Sequence, residues 1–141
     1  MNNERLLKII EDIQECKVDI DECLEVLDKY KENDLMIKLA KSSLRQLFVS
    51  FHTILEDFCS IILKELKKFK IGITLSDSLK LLKNNNVIDN DMYIFLEKSR
   101  LIRNRISHRY KEPSHEELHE HIVKYKSNIT KLISIAKGYI D

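Results

Sequence analysis

The sequence predicts an all-α fold, a single antiparallel bundle of about five helices. The 141 residues include only 2 Gly and 1 Pro, whereas average usage would give roughly ten and seven. Sheets and hairpins need those residues at their turns, so their scarcity favours helices joined by few, short loops. Apolar residues recur with helical spacing through most of the chain, and no repeat or linker divides it. We therefore expect one domain over residues 1–141.

The first predicted helix runs from about Glu4 to Tyr30. Its apolar residues repeat with alternating spacings of three and four, which is typical of a heptad seam. The seam comprises Leu6, Ile9, Ile13, Cys16, Ile20, Cys23, Leu27 and Tyr30. The segment KENDL interrupts the pattern, and Asn33 or Asp34 is placed to cap the next helix.

The second predicted helix runs from about Asp34 to Lys70. Gly72 follows just beyond the expected end, where a residue without a Cβ ends a helix at least cost. Lysines crowd the expected last turns, at positions 64, 67, 68 and 70. Two interpretations remain open for these lysines: a favourable interaction with the helix dipole, or a rim that faces phosphate.

Two shorter predicted helices follow. Thr74 or Ser76 begins the third helix, which ends at the run NNN of residues 84–86. Asp89 caps the fourth helix, which carries apolar residues at helical spacing and continues through the stretch RNRISHRY, residues 103–110.

The last predicted helix begins after Pro113, where Ser114 and Glu117 form a capping box. The letters HEELH, residues 115–119, also match the H-E-x-x-H pattern of zinc proteases. We reject a zinc site because the helix supplies no suitable third ligand further along, and the chain offers no strand to bind a peptide. The acidic residues instead suit the positive end of the helix dipole.

The charge balance excludes a strong overall attraction to nucleic acid or to anionic membranes, because 24 basic residues face 23 acidic ones. Any basic site must be a local cluster. The three cysteines form no metal motif and are interpreted as thiols in a reducing cytoplasm. No apolar run approaches the roughly 20 residues of a membrane span, and no signal peptide opens the chain, so a cytoplasmic location is expected.

The local basic cluster is the stretch of residues 103–110. On a helical wheel that takes Met92 as zero, Arg103 falls at about 20°, inside the apolar stripe of the fourth helix. Asn104 and His108 fall together on the flank, at about 120° and 160°. Because an unpaired guanidinium in a core costs several kcal/mol, we expect this helix to meet a second surface that is closed yet polar. A subunit interface lined by a groove would provide one.

Arg103, His108 and Tyr110 together form R-x4-H-x-Y, which resembles the signature of HepT-like toxins in the HEPN superfamily. Asn104 fits as well, since a polar residue commonly follows that arginine in the family. The segment NNNVIDNDMYIFLEKSRLIRNRISHRY and the helical face around LFVSFHTILEDF also resemble the family, so the likeness covers roughly residues 44–125.

The resemblance implies an endoribonuclease that uses no metal or other cofactor and acts as a homodimer, with the motifs of two subunits facing each other across one cleft. Arg103 and His108 would be the catalytic pair of each chain. Histidine can carry a proton near neutral pH, and arginine can clamp a phosphate with two hydrogen bonds. Asn104 would orient the histidine or contact the phosphate, and Arg105 and Arg109 would hold the RNA backbone.

The resemblance also implies a partner, a small nucleotidyltransferase antitoxin of the MNT type, which silences the toxin by adding AMP to Tyr110. An AMP group beside His108 would place an anionic phosphate in the RNA groove. Other interpretations stay open. Arg105 and Arg109 also fit a basic helix end. The chain could be a non-catalytic nucleotide- or substrate-binding partner of the nucleotidyltransferase, or a helical interaction module whose first helix docks a partner.

Overall fold

The computed structural model describes all residues, 1–141, and contains five α-helices and no strand. The helices are α1 (Asn3–Lys29), α2 (Asp34–Glu65), α3 (Leu75–Asn84), α4 (Asn90–Ile106) and α5 (His115–Lys137). The predicted all-α bundle of five helices is confirmed. A side-chain oxygen caps the start of each helix by accepting a hydrogen bond from a backbone N–H, and the capping residues are Asn2, Asn33, Thr74, Asp89 and Ser114.

Contacts between helix ends show how the helices run past one another. The N-terminal amine of Met1 lies 3.4 Å from the Glu65 carboxylate, so the start of α1 meets the end of α2. The backbone N–H of Asp141 donates a 3.5 Å hydrogen bond to the side-chain oxygen of Asn3, so the chain returns from α5 to the start of α1. Helix α1 therefore packs antiparallel to both α2 and α5.

Helix α2 is the central helix, because it packs against each of the other four. By length and composition alone α2 would also suit a membrane span, but half of its most apolar stretch is buried inside the bundle, as expected of a core helix.

The predicted seam of α1 is part of the same core. Leu6, Ile9, Ile13, Cys16 and Ile20 are buried, whereas the later seam positions are half-buried or exposed. The cysteines are free thiols, and burial raises the pKa of Cys16 to about 11. Such a thiol is protonated at neutral pH and unreactive.

Helix α2 ends at Glu65, five residues before the predicted end at Lys70. Lys67 adopts the left-handed conformation at φ 58°, and the backbone N–H of Lys68 donates to the Leu63 carbonyl at 2.8 Å. This hydrogen bond is typical of a Schellman-type helix end, here built without glycine. The last lysines of the segment therefore lie beyond the helix.

Gly72 does not end α2, contrary to the prediction. It lies in a separate turn, closed by a 3.1 Å hydrogen bond from the Ile73 N–H to the Lys70 carbonyl. Its φ of 81° is the conformation that the third residue of a type II turn requires. The run NNN does end α3 as predicted, with Asn86 in the left-handed conformation at φ 59°.

Helix α4 also ends earlier than predicted. Its last residue is Ile106, and Ser107 caps its C-terminus. Residues 107–114 form the connection to α5, which we call the motif loop. His108 and Tyr110 lie in this loop rather than on the helix, so the wheel position predicted for His108 is wrong.

Candidate active site around Arg103 and His108

A cleft of about 370 Å³ opens between α2, the start of α3 and the end of α4, and we call it the Arg103 cleft. Its lining is polar except for one leucine, and comprises His52, Glu56, Thr74, Leu75, Ser76, Arg100, Arg103 and Asn104. The N-terminal end of α3 lies at this cleft, and the positive end of its helix dipole adds to the charge of the arginines. The cleft is therefore suited to an anionic group.

Arg103 is half-buried in the wall of this cleft and makes no hydrogen bond or ion pair with the rest of the chain. Three of the other arginines are paired within the chain: Arg45 contacts Glu112, Arg100 donates from Nε to Glu97 at 3.2 Å, and Arg105 pairs with Glu117. All the guanidinium donors of Arg103 therefore remain available to a ligand or to a second chain. The second polar surface expected beside Arg103 stays a prediction.

Arg105 holds the motif loop in place. Its Nε donates a 2.9 Å hydrogen bond to the Lys111 carbonyl, and its guanidinium forms a two-point ion pair with the Glu117 carboxylate of α5. This hydrogen bonding keeps the pKa of Glu117 below its ordinary value. Arg105, predicted to hold RNA, is thus engaged within its own chain.

The capping box predicted for α5 is only half formed. The Ser114 hydroxyl accepts a 3.1 Å hydrogen bond from the Glu117 backbone N–H, as predicted. The Glu117 carboxylate, which a capping box would turn back to the Ser114 N–H, is instead paired with Arg105. The first turn of α5 therefore serves to hold the motif loop.

The motif loop presents two side chains of the signature to solvent, together with Arg109 between them. His108, Arg109 and Tyr110 are all exposed, Tyr110 to 95%. The backbone of His108 is fixed by hydrogen bonds on both sides, from its N–H to the Arg105 carbonyl at 3.1 Å and from the Lys111 N–H to its carbonyl at 2.9 Å. Its imidazole is exposed and makes no hydrogen bond within the chain.

The family model described as Ribonuclease HepT-like matches residues 6–136, nearly the whole chain. The chain belongs to the HepT-like ribonuclease family. The predicted resemblance is confirmed, and it extends beyond residues 44–125 to include most of α1. No curated protein and no solved structure matches the chain.

In this HepT-like chain the signature is divided between two elements. Arg103 and Asn104 lie on α4 and line the Arg103 cleft, whereas His108 and Tyr110 lie on the motif loop outside that lining. A single chain therefore does not enclose the arginine and the histidine in one cavity. The site residues remain predictions, and the cleft and the loop are the two parts from which a site could be assembled.

The cleft also contains residues that the sequence analysis did not single out. Glu56 lies four residues after His52 on α2, and Arg100 lies four residues before Asn104 on α4. Residues at this spacing share one helical face, so the helical period around the motif arginine could have found Arg100. No sequence signal pointed to Glu56, because α2 and α4 meet only in the folded chain.

His52 forms the buried part of the cleft wall. Its ring is 2% exposed, its Nδ1 lies 2.9 Å from the Phe48 carbonyl, and its Nε2 has no hydrogen-bond partner. Burial lowers the pKa of His52 to about 4, and the nearby charge of Arg103 adds to this lowering. The ring is therefore neutral near pH 7 and donates to Phe48 from Nδ1.

The two histidines of the HEELH sequence lie on one face of α5, with the ring centroids of His115 and His119 5.5 Å apart. Burial lowers the pKa of His115 below its ordinary value. The structure contains no group of three or more His, Cys, Asp or Glu side chains arranged to hold a metal.

Proposed function

We propose that this HepT-like chain is a metal-independent endoribonuclease, the toxin of a toxin–antitoxin pair, with a composite active site at a homodimer interface. The observation that carries the proposal is the burial and the hydrogen bonding of the two motif residues, Arg103 and His108. Arg103 is half-buried yet has no partner, and His108 is exposed yet held by its backbone at the end of the same helix. Leaving a cation unpaired is unfavourable in a lone chain and becomes useful when a phosphate arrives.

The proposed reaction uses the 2′-hydroxyl of the RNA as an internal nucleophile. Its oxygen forms a bond to the adjacent phosphorus, and the bond from phosphorus to the 5′-oxygen of the next nucleotide breaks. The products are a 2′,3′-cyclic phosphate and a free 5′-hydroxyl. One His108 accepts the proton of the 2′-hydroxyl, and His108 of the second protomer donates a proton to the leaving oxygen. Arg103 stabilises the negative charge that develops on the phosphate.

A homodimer is proposed because this mechanism needs both an acid and a base, and each chain supplies one motif histidine. The Arg103 cleft and the motif loop lie at the same end of α4. A symmetric dimer whose axis passes near this end would bring two copies of each motif residue together.

Two exposed polar side chains are proposed to assist. Asn104, on the cleft wall, would orient the histidine or contact the phosphate, and Arg109, on the motif loop, would hold the RNA backbone. For Arg105 we favour positioning of the motif loop, because its pairing with Glu117 engages it within the chain.

Tyr110 is the proposed site of regulation by a nucleotidyltransferase antitoxin of the MNT type, in the cytoplasm. Its phenol is 95% exposed and has no hydrogen-bond partner, so a second enzyme can reach it. Attack of the phenol oxygen on the α-phosphorus of ATP would transfer AMP and release pyrophosphate. The added phosphate would lie two residues from His108 and repel the RNA backbone.

The test is incubation of purified protein with total RNA, for the wild type and for Arg103→Ala, His108→Ala and the matched control His119→Ala. We expect cleavage to fall by at least about a hundredfold in the first two variants and to be unchanged in the control, with all proteins folded. EDTA should not inhibit. Cleavage that survives both motif substitutions would contradict the site, and metal dependence would contradict the mechanism.

A second candidate is a non-catalytic subunit that binds a nucleotide or phosphate for a nucleotidyltransferase. The observation that favours it is that the Arg103 cleft includes Arg103 and Asn104 but not His108. This candidate predicts RNA or nucleotide binding that Arg103→Ala abolishes, together with no cleavage by the wild type. A role for α1 as a docking helix is less favoured, because most of its seam is buried in the chain's own core.

A further inference from the structure

The segment of residues 64–83 concentrates positive charge in a chain that is otherwise nearly neutral. It contains six lysines and only two carboxylates, Glu65 and Asp77, so it carries a charge of +4 whereas the whole chain carries +1. We call the six residues the lysine patch: Lys64, Lys67, Lys68, Lys70, Lys80 and Lys83. Such a local excess of positive charge produces a positive electrostatic potential at that surface.

The charges of the lysine patch are not neutralised by ion pairs. Elsewhere five lysines, at positions 8, 17, 29, 31 and 131, lie within 4.0 Å of a carboxylate. No member of the lysine patch does so, and Glu65 is paired with the N-terminal amine of Met1. Lys64 and Lys83 instead lie over the rings of Phe69 and Tyr93, each 4.8 Å from the ring centroid. These contacts leave the ammonium charges available to an external anion.

Helix dipoles do not explain the patch as a whole. Lys64 and Lys83 lie in the last turns of α2 and α3, where a cation is favourable. Because α2 ends at Glu65 rather than Lys70, three lysines lie on the connection beyond it, and Lys80 lies in the middle of α3. These four line a groove of about 700 Å³ together with Phe69, Ile71, Gly72, Ile73, Asp77 and Leu81.

The groove lined by these four lysines, which we call the lysine groove, adjoins the Arg103 cleft. Consecutive residues at the start of α3 form the boundary: Ile73 and Asp77 line the groove, and Thr74, Leu75 and Ser76 line the cleft. A polymer whose phosphate lies beside Arg103 can therefore continue into the groove without crossing the bundle. The aromatic and aliphatic side chains on the groove wall could also contact bases.

We propose that the lysine groove binds the phosphate backbone of single-stranded RNA on one side of the scissile phosphate, as a subsite that extends the Arg103 cleft. This inference rests on the proposed ribonuclease function and adds the path that the substrate takes over the protein. The lysines supply most of the affinity for long RNA and none of the catalytic chemistry.

The experiment measures dissociation constants for labelled single-stranded RNA, with the His108→Ala protein as the background so that the RNA stays intact. The test variant carries Lys67→Gln, Lys68→Gln and Lys70→Gln. The matched control carries Lys8→Gln, Lys29→Gln and Lys31→Gln, which removes the same charge from exposed lysines outside the groove. Circular dichroism checks that both variants are folded.

The test variant should bind RNA of about 30 nucleotides at least about tenfold more weakly at low salt than the background protein does. The slope of log K against log salt should fall by up to about 2, since each phosphate contact to a single strand contributes about 0.7. The control should change affinity by less than about twofold, and an RNA of about three nucleotides, which fills only the cleft, should bind alike to all three proteins.

Unchanged affinity of the test variant for long RNA would overturn the inference, and so would an equal loss in the control. If His108-dependent cleavage by wild-type protein persists in that case, the proposed function stands and only the groove fails. If instead the wild type neither binds nor cleaves RNA, and lysine-dependent binding is seen to vesicles of anionic phosphatidylglycerol, the groove serves a membrane and both proposals are overturned.

Discussion

Acidification should destabilise this fold through two buried histidines, His52 on α2 and His121 on α5. They are 2% and 8% exposed. Burial lowers the pKa of each to about 4 from an ordinary value of 6.5. The hydrogen bond of His52 to the Phe48 carbonyl raises the pKa of His52, whereas the positive charge of Arg103 lowers it further.

The surroundings of His121 keep it neutral as well. Its Nε2 lies 2.7 Å from the Ser99 hydroxyl, and its ring stacks on Phe95 with centroids 5.8 Å apart. After burial, the neighbouring His52 and the charge of Lys98 lower its pKa further, while Glu117 opposes them. Protonating either histidine would therefore place an unpaired charge in the aromatic part of the core.

The sign and size of the effect follow from the difference between the folded and unfolded pKa values. Unfolded histidines bind a proton near pH 6.5, whereas these two do so only near pH 4, so stability is fully present above pH 6.5 and is lost as the pH falls towards 4. One pH unit corresponds to about 1.36 kcal/mol. At pH 5, His52 should reduce the free energy of unfolding by about 2 kcal/mol, and the two histidines together by up to about 4 kcal/mol.

Urea unfolding at pH 7.5 and pH 5 provides the assay. Between the two pH values we expect the free energy of unfolding to fall by up to about 4 kcal/mol in the wild type. In His52→Leu we expect this fall to be smaller by about 2 kcal/mol. His108→Ala, which removes an exposed histidine, should lose as much as the wild type. Equal stability of the wild type at both pH values, or an identical loss in His52→Leu, would refute the assignment of buried neutral histidines.

Other substitutions test the packing and the motif loop. Phe58→Ala, at a fully buried position of α2, should lower the free energy of unfolding by about 3–5 kcal/mol. Leu101→Ala, on an exposed face of α4, should change it little. Equal losses in the two variants would contradict the burial of Phe58 in the core. Gly72→Ala meets no atom within 4 Å, yet it should destabilise by about 1 kcal/mol because of its positive φ, and a neutral result would contradict that turn. Glu117→Gln should reduce RNA cleavage by about tenfold at nearly unchanged stability, because Arg105 would lose the ion pair that anchors it to α5 and would hold the motif loop less firmly. Full activity would mean that the ion pair does not position the loop.

Much of the candidate site was accessible from the sequence because its motif is local. Arg103 was assigned to an apolar stripe from helical spacing alone, and the structure shows it half-buried without a partner. The engagement of Arg105 with Glu117 was not predicted, because the capping-box pattern assigned the same glutamate to its own helix end. The place of His52 and Glu56 beside Arg103 depends on how α2 and α4 pack, which no local pattern specifies.

The sequence by itself determined the number of helices, the N-terminal caps Asp89 and Ser114, and the apolar faces, because capping and helical periodicity are interactions between residues a few positions apart. Tertiary structure decided where α2 and α4 end. The chain turns at Lys67 and at Ser107 although neither is a glycine or a proline, and α2 ends several residues before Gly72, which was predicted to mark its end. Tertiary structure also decided which charged side chains remain unpaired. An ion pair such as that between Arg105 and Glu117 forms only when packing brings two helices together.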